Sequence, residues 1–107
     1  MKKLTTGEIT QAAIDHFTNC GFFCWRNNQI PQRGRPFRGL KGVSDIIGFR
    51  TYSDGAFLAC EVKNDGDILS QEQKDFLCSV NRAGGYAYLA EPDGNGGIKY
   101  RLYTDKK

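Results

Sequence analysis

Asp45, Glu61 and Lys63 are the residues whose types and spacing best suit chemistry. The acids lie in two apolar stretches that read as strands, residues 43–50 and 56–63, joined by the turn-forming run Tyr52-Ser53-Asp54-Gly55. Alternate residues of a strand share a face, so Glu61 and Lys63 project together, about 6.5–7 Å apart along the chain. Asp45 reaches that face from the neighbouring strand if the register allows it. Two carboxylates held together repel, and their pKa values rise unless a cation neutralises them. Hard oxygen ligands suit Mg²⁺ or Mn²⁺, and the Val62 carbonyl, between the two side chains, offers one more oxygen. Beside such an ion a protonated Lys63 can hold or polarise a water and neutralise charge on a phosphorane-like transition state. The set therefore suits metal-assisted phosphodiester hydrolysis. The plainer alternative is a pair of solvated strand ends carrying ordinary ion pairs.

A second feature lies between residues 27 and 42, where Arg33, Arg35, Arg38 and Lys41 occur with no acid among them and with Gly34, Pro36, Gly39 and Gly42 interleaved. This reads as a cationic loop. With Arg26 it supplies candidate phosphate contacts, which give affinity without reading sequence.

The elements that must position these groups follow from pattern. Thr5-Thr6-Gly7-Glu8 is a capping box, and Ile9, Ala12, Ala13 and Phe17 continue at helical spacing, predicting a helix over residues 6–20. The aromatic-rich residues 22–26 read as a short strand, followed by the hairpin above. Asn64-Asp65-Gly66-Asp67 forms a turn, and Ser70 with Gln73 makes a second capping box. Gln73, Phe76, Leu77 and Val80 then line a helix that Gly84 and Gly85 end. Residues 86–90 and 98–103 complete an αβββαββ order, an α/β fold with a central mixed sheet flanked by helices.

Composition bounds the rest. The 107 residues fit one domain; 39% are hydrophobic and 25% charged, as in globular proteins. No apolar run approaches the roughly 18 residues of a membrane span, and Met1-Lys2-Lys3 is not followed by a secretory core, so a soluble cytoplasmic protein is expected. Cys20, Cys24, Cys60 and Cys78 are then expected as free thiols, mostly small buried hydrophobes. His16, Cys20 and Cys24 have a superficial metal spacing but lack a fourth ligand. The net charge of +3 is too small by itself to argue for a polyanionic partner. Trp25, Phe22, Phe23, Tyr86 and Tyr88 could stack on bases, but strand aromatics are more often core. His16 reads as a residue of the helix surface.

Together, the stretches Gly42-Val43-Ser44-Asp45-Ile46-Ile47-Gly48, Cys60-Glu61-Val62-Lys63, Leu69-Ser70-Gln71-Glu72-Gln73-Lys74 and Gly84-Gly85-Tyr86-Ala87 resemble the VRR-NUC domains of the PD-(D/E)xK nuclease superfamily. One departure is Ser44, which stands where the superfamily's name has proline. The resemblance implies a restriction-endonuclease-like core, a divalent metal and cleavage of nucleic-acid phosphodiesters. It implies that Asp45 and Glu61 ligate the metal and that Lys63 orients water or stabilises charge. Glu8 resembles the family's additional acid near the metal, and Gln73 its glutamine near the active site, although each also fits a capping role. The expectation is a Mg²⁺- or Mn²⁺-dependent endonuclease acting on DNA, selective for a junction, flap or nick. A homodimer is expected from relatives of similar size, and free-standing domains of this type resemble phage-encoded ones. The alternative is a nucleic-acid-binding module that keeps the fold without turnover.

Overall fold

The computed structural model describes residues 3–27 and 40–104. Their order is α1 (Thr6–Asn19), β1 (Phe22–Arg26), β2 (Ile46–Arg50), β3 (Phe57–Val62), α2 (Gln71–Arg82), β4 (Tyr86–Pro92) and β5 (Ile98–Leu102). The five strands form one sheet in sequence order, antiparallel at every step except β3 to β4, where α2 makes the parallel crossover. This is the expected α/β arrangement.

Both helices start where their capping residues require. The Thr5 hydroxyl accepts from Glu8 N and the Ser70 hydroxyl from Gln73 N, while each N3 side chain returns to the cap backbone. The two helices cover opposite faces of the sheet. Ile9, Ala13 and Phe17 of α1 pack with Phe22, Cys24, Ile46, Leu58, Cys60 and Val62. Leu77 and Val80 of α2 pack with Ala59, Ala87 and Leu89. The alternation along β3 thus becomes two cores, because the central strand is covered on both sides.

Three details differ from expectation. β2 begins at Ile46, not at residue 43, because Gly42 turns the chain with φ +90° and the preceding loop packs on the first turn of α2. His16 is half buried, its ring stacked on Tyr100 at 3.9 Å and 3°. Phe23 and Trp25 are not core: they are 58% and 43% exposed, because α2 packs over β3 and β4. Phe22 is buried, and Tyr86 and Tyr88 are half buried, as strand aromatics usually are. Cys24 and Cys60 are the small buried hydrophobes expected, whereas Cys20 is exposed.

Candidate metal and catalytic centre

The register decides whether the two acids meet. β2 pairs with β3 through Ile46↔Cys60, so the next pair outward is Asp45 opposite Glu61, both on the face that carries α2. Asp45 lies just beyond the end of β2, and its Oδ2 accepts from Val62 N at 2.8 Å, which fixes the carboxylate against the last residue of β3. Its carbonyl accepts from Asn27 N at 2.7 Å, extending the β1–β2 pairing by one step.

Glu61 is only 1% exposed, although it is a carboxylate. Its Oε1 accepts from Gln73 Nε2 at 3.0 Å, while Oε2 is buried without a hydrogen-bond partner. Burial raises the Glu61 pKa to about 9; the adjacent Asp45 carboxylate adds to the rise and Lys63 opposes it. Ser44, fully buried next to Asp45 in sequence, also has an unpartnered hydroxyl.

Lys63 follows β3 directly, and its ammonium donates to Ile68 O and to Gln73 Oε1, each at 3.3 Å. Gln73 Oε1 also accepts from Ser70 N at 2.8 Å. The same glutamine therefore closes the cap of α2, holds Glu61 and accepts from Lys63. Its capping and site roles are not alternatives.

A polar cleft of about 350 Å³ opens beside these groups, bounded by Asn27, Lys41, Gly42, Asp45, Ser70 and Gln73 among others. Asn27 was missed in sequence reading; it carries no motif, and only the β1–β2 register brings it beside Asp45. Its side chain donates to Ser44 O at 3.4 Å. Glu72, next to Gln73 in the first turn of α2, also lines the cleft.

The remaining candidates fall differently. Lys41 is exposed on the wall of the cleft. Arg26 is exposed, and strand alternation puts it with Phe22 and Cys24 on the α1 side, away from Asp45. Arg33, Arg35 and Arg38 lie outside the described residues. Glu8 belongs to the capping box, where its carboxylate accepts from Thr5 N at 2.8 Å. Asn64 Nδ2 donates to Leu4 O at 3.1 Å, which ties the start of α1 to the end of β3 that carries the site. Among the described residues, Glu8 is not gathered with Asp45 and Glu61 into a three-acid cluster. Val62 enters through its backbone, while its side chain points into the α1 core.

The donor chemistry fits a hard divalent cation. Two carboxylates converge, one of them raised in pKa by burial, and a buried carboxylate oxygen has no partner. A helix on each face of a mixed sheet, with paired acids at one end of its strands, makes up the α/β core. A solved structure shares the fold: the Holliday junction resolvase Hjc of the archaeal hyperthermophile Archaeoglobus fulgidus, with a TM-score of 0.58 and 18% identity over 90% of this chain and 75% of that one. A family model for the VRR-NUC domain matches residues 9–92. The chain belongs to the VRR-NUC family. No match is found among curated proteins.

Proposed function

We propose that this protein is a metal-dependent endonuclease that hydrolyses DNA phosphodiester bonds and selects branched or interrupted structure, such as a junction, flap or nick. The observation that carries the reading is the meeting of Asp45 and Glu61 at the ends of β2 and β3, with Gln73 joining Glu61 to Lys63. Family membership supports nuclease chemistry, and the likeness in fold to a Holliday junction resolvase supports branched DNA as substrate.

Asp45 and Glu61 would hold Mg²⁺ or Mn²⁺, with the Val62 carbonyl as a further oxygen and Glu8 reaching its water shell. Bound there, the ion would supply Lewis-acid polarisation of the phosphate and a more acidic water. The chain's own groups do the rest. The Val62 N–H and Gln73 Nε2 hold the two carboxylates in place, so little reorganisation is needed when a phosphate arrives. Lys63, held by Ile68 O and Gln73 Oε1, keeps a third N–H available to orient the attacking water and to offset charge on the phosphorus. The new P–O bond to water forms, the water giving up a proton to solvent, as the bond to the leaving sugar oxygen breaks and that oxygen takes up a proton from solvent. Lys41 and Asn27 line the approach, and Arg33, Arg35 and Arg38 of the connecting segment are further candidate phosphate contacts; Arg26, on the other face, would reach only phosphates away from the scissile one. We place the reaction in the cytoplasm, in a phage-encoded setting, with the enzyme acting as a homodimer.

The test is a metal-titrated cleavage assay on linear, single-stranded and branched DNA. Branched DNA should be cut with Mg²⁺ or Mn²⁺, and Asp45→Ala or Lys63→Ala should abolish cutting without loss of fold. Cleavage that survives both substitutions refutes the assignment. DNA binding with steep salt dependence and no cleavage would instead mark a binding module on a nuclease fold.

A further inference from the structure

Ser44 Oγ and Glu61 Oε2 are both enclosed without a hydrogen bond, in residues 0% and 1% exposed. The first is a hydroxyl that can donate; the second is a carboxylate oxygen that accepts. Enclosing either one unpaired costs free energy, so two such atoms at neighbouring places mark a site whose bonding is incomplete. Neither atom is held by the contacts described above. Gln73 binds the other oxygen of Glu61, and the Val62 N–H binds Asp45.

The backbone leaves the sheet ladder at the residue that lets these atoms meet. Ile46 pairs with Cys60 along the backbone, but the next step is closed by a side chain, with Val62 N–H donating to Asp45 Oδ2. Ser44, one residue further out, is therefore released from strand alternation. Its carbonyl accepts from Asn27 Nδ2 at 3.4 Å, and the Asp45 carbonyl accepts from Asn27 N at 2.7 Å. These bonds anchor the backbone and leave the Ser44 hydroxyl to turn between its rotamers. The hydroxyl lies close enough to Glu61 to lower its pKa against the effect of burial, although no bond is closed. Of the other groups beside this carboxylate, Asp45 is an acceptor, and the Lys63 ammonium is directed to Ile68 O and Gln73 Oε1. A proline, the residue in the superfamily's name, would shape the backbone here without offering a donor.

We propose that Ser44 is a positioning residue for the metal: its hydroxyl donates to Glu61 Oε2 and, with Gln73 on Oε1, fixes the carboxylate from both sides. Each carboxylate oxygen has two lone-pair directions, so an oxygen that accepts from Ser44 or Gln73 keeps one for a cation. A carboxylate held at one oxygen alone can pivot, and ligating carboxylates are themselves hydrogen-bonded for this reason. The inference rests on reading Asp45 and Glu61 as metal ligands and adds a residue that acts through one of them.

The test needs no DNA. The full chain is titrated with MnCl₂ alone by calorimetry, and its urea midpoint is measured separately in chelator. Ser44→Ala should weaken Mn²⁺ binding about tenfold, the lower end of the usual cost of removing an orienting partner. Its urea midpoint should not fall, because the hydroxyl it removes has no partner in the metal-free protein. A residue that only packs would do the reverse, losing stability and keeping Mn²⁺ affinity. Ser44→Thr, which retains a hydroxyl, should recover most of the lost affinity. Equal Mn²⁺ affinity in Ser44→Ala and the unmodified chain overturns the proposal. Weaker binding together with a lower urea midpoint also overturns it, in favour of packing. So does a Ser44→Thr protein, folded by circular dichroism, that binds no better than Ser44→Ala. If Ser44→Thr does not fold, the two measurements on Ser44→Ala still decide. An unmodified chain that binds no Mn²⁺ would overturn the metal-dependent reading itself and this inference with it, an outcome distinct from equal affinities.

Discussion

Gln73 donates from Nε2 to Glu61 Oε1 at 3.0 Å while its Oε1 accepts from the backbone of Ser70 and from Lys63. The start of α2 is thereby coupled to the carboxylate at the end of β3. The two requirements are chemically compatible because an amide is both donor and acceptor, whereas a carboxylate could cap but not donate to Glu61.

Gln73→Ala should therefore lower Mg²⁺ or Mn²⁺ affinity by roughly 10–100-fold, the usual cost of removing an orienting partner of a ligand. It should also cost about 1 kcal/mol of stability through the cap. Gln73→Glu should keep the cap and still lose metal affinity and turnover. Isothermal titration with the metal alone and urea unfolding separate the two effects; equal metal affinity in all three proteins would contradict the coupling.

Glu61 makes the metal-free protein sensitive to alkali. Its folded pKa, about 9, lies above the ordinary carboxylate value of 4.5, so between these limits the folded state binds more protons than the unfolded state. Its contribution is complete below pH 4.5 and is lost as pH rises toward 9. Urea midpoints in chelator should fall from pH 5 to pH 9, and Glu61→Gln should flatten that slope. Excess Mg²⁺ should restore stability most at the alkaline end, by selecting the ionised form.

Gly42→Ala should damage the site without touching a ligand. A Cβ at residue 42 would lie 2.4 Å from the Glu72 carbonyl oxygen, at a φ of +90° that side chains rarely adopt. The loop before Asp45 and the first turn of α2 must then separate, moving Asp45 relative to Gln73. We expect a loss of about 1–3 kcal/mol and a larger fractional loss of metal affinity than of helix content by circular dichroism. Gly66→Ala, also at positive φ but with nothing within 4 Å of its Cβ, provides the comparison for backbone strain alone.

Much of this was legible in the sequence because local rules and the fold agree. Both capping boxes form as their residues specify, β1 occupies residues 22–26, and Asp45, Glu61, Lys63 and Gln73 come together as motif order implies. What could not be read depended on placement across the sheet. Phe23 and Trp25 obey strand alternation, yet their exposure depends on α2 settling over β3 and β4, a fact no local window carries. Asn27 enters the cleft only through pairing with a segment eighteen positions further on. The late start of β2 reflects the turn at Gly42, whose close approach to Glu72 is a contact with a distant helix.

The β1-to-β2 register, Arg26 against Ile46, leaves residues 27–45 as a connection that opens at the same end of the sheet as residues 63–70. The opposite end is closed by the short turns 51–56 and 83–85. Lengthening either of these connections away from Asp45 and Lys63 would thus leave both cores and the far turns intact, since loop extension is entropically cheap. The scaffold admits change in those two segments while the strands that bring Asp45 and Glu61 together keep their register.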